Sequence, residues 1–519
     1  MFFVILKTFV VDIYRSSASA EISNHNVARP GESCRNSELC VGGSICDSGQ
    51  RMCICAAAHE PLNGVCVLKE ALLRMRPGQA CRVTNECVNG AVCLADSGIC
   101  QCDELHHEEN GLCYSNAAKN KKSGSNFFHS IPTNEPKRIA EPCPLSEDSY
   151  KCSLPHCFCS KDGRSPPASM PPTSIPQFIV LSFDDAVNGR TMRDYRALFE
   201  RPQIFNPNGA PVKATFFISH EWTNYNDVQW IADGGHEIAS NSISHESLER
   251  SNLSRWMAEM DGQRQILASF GNVDEMNIVG MRAPQLGMGA DDQFEMMERT
   301  GFLYDNTMSV NPGAMPYWPQ TLDYRLSWHC ENNNCPRSSF PGIWEIPMNQ
   351  FHGTGSKRSA MIRGALELNS SVDEIEQVLR KNFERSYYTN RAPYILSLNA
   401  DFLQLGGDRG MRALTRFLTS LQNRPDIYFL TLRGLVKWLQ DPVPLERMQD
   451  FKDSSERSSN SSRFSSYDYY TKHEIRQCEK PNKCVYATPF LSSGEHQFLT
   501  CDPCPSMFPW VDNPLGRII

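Results

Sequence analysis

Twelve of the chain's 22 cysteines lie between Cys34 and Cys113, in two runs that share one spacing. Cys34, Cys40, Cys46, Cys53, Cys55 and Cys66 are separated by 5, 5, 6, 1 and 10 residues, and Cys81, Cys87, Cys93, Cys100, Cys102 and Cys113 repeat those gaps. A 47-residue period with every gap kept is an internal repeat. Units of this size, 34–66 and 81–113, are too small to bury a sufficient apolar core, so each must be held by cross-links. Zinc is the competing explanation. However, Cys53-x-Cys55 and Cys100-x-Cys102 lack knuckle spacing, and no histidine stands at ligand distance in sequence. A disulfide framework follows, and with it an oxidising, extracellular compartment.

The rest of the chain agrees with export. Phe2 to Val11 is apolar and Ala18-Ser19-Ala20 supplies small residues for cleavage, so residues 1–20 read as a secretory signal. Asn252, Asn369 and Asn460 head Asn-x-Ser sequons and are the expected glycosylation sites. No later stretch approaches the roughly 18 apolar residues that span a bilayer, so no membrane span is expected. A formal charge of -8 gives no reason to expect nucleic acid as a partner.

Beyond the repeats, residues 114–140 are rich in Asn, Lys, Ser and Pro and read as a linker. A second composition change opens a serine-rich linker over 443–475, densest at Ser454–Ser466. Residues 476–519 form a tail with Cys478, Cys484, Cys501 and Cys504, where structural bridges are expected rather than a redox Cys-x-x-Cys.

Between the linkers, over 143–442, short apolar runs alternate with amphipathic stretches. Phe178–Leu181, Ala214–Ile218, Ile278–Met281, Ile343–Ile346, Ile395–Leu398 and Ile427–Leu430 read as buried strands. Leu253–Phe270 and Val372–Phe383 read as helices, the second opening at Ser370-Ser371 with acids in its first turn. The pattern predicts an α/β fold with a mainly parallel sheet, as a distorted (β/α) barrel. In such a barrel the chemistry sits at the carboxyl ends of strands. Asp184 and Asp185 follow the first strand, Asn241 and His245 a strand near Glu237, Arg282 the run at Ile278, and Asn399 the run at Ile395.

These strand-end residues resemble the motifs of the polysaccharide deacetylases. Ser182-Phe183-Asp184-Asp185 is similar to the first motif, Asn241-Ser242-Ile243-Ser244-His245 to His-Ser/Thr-x-x-His, Arg282-Ala283-Pro284 to the third, and Leu396-Ser397-Leu398-Asn399 to Leu-x-Leu-His. The insertion Trp318–Glu345 and the segment Leu154–Gly163 resemble the chitin deacetylases of moulting animals, and the cysteine repeats resemble EB modules. The resemblance implies a hydrolase of C–N bonds other than peptide bonds, acting on chitin or a related polysaccharide with zinc or cobalt as cofactor. It implies Asp184 as general base, Asp185 and His245 as metal ligands, and Arg282 as the group that orients Asp184. Gln285, Tyr304, Leu396 and Leu398 would line the substrate site, and Asp305 would support the acid. Through the cysteine-rich modules it implies matrix proteins as partners.

Two departures matter. Asn241 stands where the family has a metal-binding histidine and Asn399 where it has the acid histidine. A carboxamide is a poor substitute for imidazole at zinc or cobalt, and it does not titrate near neutral pH. The ligand set is therefore incomplete and catalysis is expected to be weak or absent. A binding protein of deacetylase shape is the first expectation and an active metal-dependent deacetylase the second. His220 and His236 are the nearest histidines in sequence that could compensate.

Overall fold

The computed structural model describes residues 138–144, 151–200, 204–449, Phe451, Cys478, 480–487 and 495–518, with short segments between residues 27 and 115. The signal over 1–20, the run Ser454–Ser466 and the sequon at Asn460 lie outside the described residues. The chain divides between Glu135 and Pro136 into two compact units.

The described residues of the first unit form short two-stranded pairs. Ile45–Asp47 pairs with Met52–Ile54, placing Cys46 opposite Cys53, and Ala91–Leu94 pairs with Ile99–Cys102, placing Cys93 opposite Cys100. His59–Leu62 pairs with Val65–Leu68, and His106–Glu109 pairs with Leu112–Ser115. Each hairpin in the first cysteine run thus has a counterpart one sequence period later. Isolated hairpins are marginal in water, so the cross-links carry what a core would. Among the described residues no cysteine is free.

The second unit is α/β with a mainly parallel sheet. Its strands are β1 (Gln177–Asp184), β2 (Ala214–Ile218), β3 (Glu237–Ser240), β4 (Gly280–Met281), β5 (Tyr304–Asp305), β6 (Gln320–Leu322), β7 (Phe340–Glu345), β8 (Tyr394–Leu398) and β9 (Ile427–Phe429). The order is β6-β7-β5-β4-β3-β2-β1-β8, with β9 pairing the first residues of β1. Only β6 runs antiparallel, and the edge strands β6 and β8 do not pair with each other. This is a barrel left open between its edges, where a short strand at Met348–Asn349 contacts β8. β1 is buried along its first seven residues, as expected of a parallel strand covered on both faces. β4 and β5 approach so closely that a Cβ on Gly280 would collide with the Tyr304 ring.

Helices start where their caps dictate. Asn188 and Thr191 form a capping box at Gly189–Phe199, and Ser371 and Glu374 form another at Val372–Tyr387. The helix expected over Leu253–Phe270 is present but carries an irregular turn. Leu253–Trp256 gives way to a wide π-helical turn at Met257–Asp261, and Gly262–Gly271 follows.

The domain's edges also differ from the expected boundaries. Ala140 already donates its N–H to the Arg337 carbonyl, so the 114–140 linker ends inside the fold. Met448 is buried, which extends the domain past 442. The tail is part of the same unit: Asn482–Ala487 and Glu495–Thr500 form a hairpin whose Phe498 ring lies 5.5 Å from Tyr225 and 5.6 Å from Phe270. Cys501 and Cys504 bridge to Cys478 and Cys484, so the Cys-x-x-Cys pair is divided between two disulfides. Among the described residues no helix is long and apolar enough to cross a membrane.

Candidate functional site

Parallel strands β8, β1, β2, β3 and β4 are adjacent, so their carboxyl ends bring Asn399, Asp184, Asp185, Asn241, His245 and Arg282 to one rim. Several residues there adopt the left-handed backbone that favours glycine: Asp185 (φ 84°), Trp222 (69°), Ser242 (70°), His245 (55°) and Gln285 (56°). Such conformations cost energy and persist only where the surroundings enforce them, and they gather at functional sites.

Arg282 is the organising side chain. It has no exposed surface and reaches from β4 over the Phe217 ring of β2, 4.1 Å away, to β1 and β8. Its guanidinium pairs with the Asp184 carboxylate, donates to the Asn306 carbonyl (2.8 Å) and to Ser182 Oγ (3.0 Å), and reaches Ser397 Oγ (3.4 Å). Burial lifts the Asp184 carboxyl to about 6; Arg282 opposes the rise and Asp185 adds to it. A carboxyl poised there is suited to exchange a proton near neutral pH.

His245 Nε2 lies 3.6 Å from Asp185 Oδ1, both side chains partly open to solvent. The loop that carries His245 is fixed by buried Glu259, which accepts from the backbone N–H groups of Ile243 (3.0 Å) and Ser244 (2.9 Å) and from Ser244 Oγ (2.6 Å). Glu259 belongs to the π-helical turn, where irregular helix often accompanies function. Glu259, Asn306 and Ser397 escaped the sequence reading. A glutamate on the apolar face of an amphipathic stretch was the one available signal.

The two asparagines are each committed elsewhere. Asn241 is buried, its Nδ2 donating to the Arg282 carbonyl (2.8 Å) and its Oδ1 without a partner. Asn399 caps the Ala400–Leu403 turn, its Oδ1 accepting from the Phe402 N–H (3.1 Å). Neither histidine compensates. His236 stands before β3, at the sheet end opposite Asn241, with Nδ1 accepting from the Ala214 N–H (3.1 Å). His220 is buried against the Tyr225 hydroxyl, 2.6 Å away.

Of the expected substrate-site residues, Gln285 is exposed on the rim and donates to the His245 carbonyl (3.3 Å). The other three are corrected. Tyr304 has no exposed surface and donates its hydroxyl to Glu237 (2.7 Å), while Leu396 and Leu398 are wholly within the hydrophobic core. A side chain with no surface cannot touch a polymer. Asp305 is also buried, bonded to Thr307 and beside Glu345. Asn252 and Asn369 are exposed, as glycan acceptors must be.

A family profile described as polysaccharide deacetylase matches residues 173–303, and one described as EB module matches residues 55–113. Chitin deacetylase 1 of Bombyx mori is 33% identical over 419 residues, covering 78% of this chain and 74% of the relative. Chitin deacetylase 8 of the same organism is 29% identical over 390 residues, covering 73% of this chain and 94% of the relative. Among solved structures, the chitin deacetylase from the fungal pathogen Colletotrichum lindemuthianum aligns at a TM-score of 0.30 and 15% identity, over 51% of this chain and 88% of that one. The strand order above, rather than that last likeness, carries the fold. With one relative at a third identity across most of both chains, the chain belongs to the polysaccharide deacetylase family.

Proposed function

We propose that this protein is an extracellular member of the family that binds acetylated amino-sugar polymers such as chitin and hydrolyses them weakly or not at all. The observation that carries the reading is Asn399. It stands at the acid position, its oxygen occupied by the Phe402 N–H, and a carboxamide has no proton to give a departing amine at neutral pH. Losing general acid catalysis costs about 10²–10⁴ in rate.

Zinc or cobalt does not fit the residues present. Asp185 and His245 are donors of the required kind, but the third position offers only the neutral oxygen of Asn241, whose amide nitrogen is fixed on the Arg282 carbonyl. Among the described residues no three His, Cys, Asp or Glu side chains gather around a common point. The chain's own residues then orient rather than react: Arg282 holds Asp184, and the Asp185–His245 pair with Gln285 presents hydrogen-bonding groups to a sugar at the rim.

A second reading, active hydrolysis, is favoured by the intact Asp184–Arg282 pair and the raised Asp184 carboxyl. Acetate release from chitin oligomers, with zinc and cobalt content measured on the same preparation, decides between them. Substoichiometric metal and no acetate above background are expected, with partial recovery in the double variant Asn241→His, Asn399→His. Acetate release by the unaltered protein with one bound metal per chain would overturn the proposal.

A further inference from the structure

The chain has eight tryptophans. Trp230, Trp256, Trp318, Trp328, Trp344 and Trp438 are buried and Trp510 is half-buried, but Trp222 is 53% exposed. A large aromatic face left in water forgoes much of the burial that stabilises the other seven.

Its surroundings hold it firmly. Trp222 sits in the loop after β2 with left-handed backbone (φ 69°). That loop is joined to the segment directly following Asp184 and Asp185. The Val187 N–H donates to Thr223 Oγ1 (3.1 Å), Asn188 Nδ2 donates to the Trp222 carbonyl (3.1 Å), and the Asn224 N–H donates to the Val187 carbonyl (2.7 Å). Within the loop, Thr223 Oγ1 donates to the Ser219 carbonyl (2.6 Å). From the other side the C-terminal hairpin supports it. The His496 ring lies 5.6 Å from the Trp222 ring, and His496 Nδ1 is 3.8 Å from the Glu221 carboxylate. The Leu499 N–H donates to Asn224 Oδ1 (3.1 Å), which fixes the hairpin to the same loop.

We propose that Trp222 is a sugar-stacking subsite on the rim of the strand-end site, taking the C–H face of one pyranose ring of a β-linked amino-sugar polymer. A pyranose with equatorial substituents presents a flat face of axial C–H bonds, and a rigid, pre-positioned indole is the side chain that covers such a face at small entropic cost. The chemistry of the partner follows from the loop. Glu221 and Asn188 beside the ring offer acceptor and donor groups for hydroxyl and acetamido substituents, and neither adds the positive charge an acidic polymer would require. The C-terminal hairpin thereby gains a role in binding, because it fixes the aromatic platform from behind.

This inference rests on the reading that the rim takes such a polymer, and the test separates the two. Binding of N-acetylglucosamine hexamer to the full chain is measured by titration calorimetry for the parent, Trp222→Ala and Trp222→Phe. Trp222→Ala should bind about tenfold more weakly and Trp222→Phe should stay within about threefold of the parent. In the parent, hexamer should protect the exposed tryptophan from iodide quenching, a signal that Trp222→Phe lacks. If the parent binds hexamer and Trp222→Ala binds equally well with an unchanged melting temperature, the subsite is wrong while the function reading stands. If the parent binds no oligomer, both fall together.

Discussion

At the scale of single residues, buried charge is managed in two ways. Arg282 is neutralised by Asp184 and saturated by oxygen acceptors. Asp305 and Glu345 instead face each other across β5 and β7 with no exposed surface and no cation of their own. Burial holds the Glu345 carboxyl well above its ordinary range, and the neighbouring Asp305 pushes it higher. Burial raises Asp305 too, to about 6, against the pull of Thr307, Glu345 and Arg282. Glu345 therefore keeps its proton where an exposed glutamate would ionise, and neither of its buried oxygens has a hydrogen-bond partner. A carboxyl whose folded pKa exceeds its unfolded one gives its full contribution to stability below the unfolded value, 4.5 for glutamate. That contribution is lost as pH rises toward the folded value, at up to about 1.4 kcal/mol per pH unit. Glu345→Gln keeps the shape and an N–H donor but cannot titrate. Its melting temperature relative to the parent should rise steadily from pH 4.5 to pH 7, and a difference independent of pH would remove the raised Glu345 carboxyl from the account.

At the scale of elements, what was readable in the sequence depended on whether a local pattern or a distant contact decided the outcome. The core strands were legible because a parallel strand buried on both faces is an unbroken apolar run. The same property hid the orientation of Leu396 and Leu398: when both faces are covered, nothing in the run says which side chains meet a site. The start of Val372–Tyr387 was legible because Ser371 and Glu374 bond within one turn. The π-helical turn was not, because the buried Glu259 in that turn bonds the backbone of a loop some fifteen residues earlier. Asn399 joins both cases. Its absence of acid chemistry could be read directly, but its work as a cap could not. Replacing it by histidine thus exchanges a local bond for a titratable group. Asn399→His alone should lower unfolding free energy by about 1 kcal/mol in urea titrations, even where it improves the chemistry. Unchanged stability would show that the Phe402 N–H finds another acceptor at no cost.

At the scale of the whole molecule, composition drew the domain too narrowly at both ends. The serine-rich run suggested a domain end followed by a disulfide-tied tail, yet the chain beyond it returns to the fold. Nothing local marks Phe498, Phe508 and Trp510 as partners of His220, Tyr225 and Phe270, since those contacts join segments far apart in the chain. In the fold they complete the core beside β2, and the Thr500 hydroxyl donates to the Phe270 carbonyl (2.8 Å). Burial of Phe498 stabilises by about 2 kcal/mol, whereas both disulfides close loops within the segment and tie it to nothing beyond itself. Deleting residues 476–519 should therefore lower the melting temperature by about 5 °C and uncover an aromatic patch that binds a hydrophobic dye. The deletion also removes the support behind Trp222, so hexamer affinity should fall at least as far as in Trp222→Ala, even at temperatures where the shortened chain stays folded. A shortened chain with unchanged melting and unchanged affinity would return the segment to the status of a tail, and would leave the exposed indole held by its own loop alone.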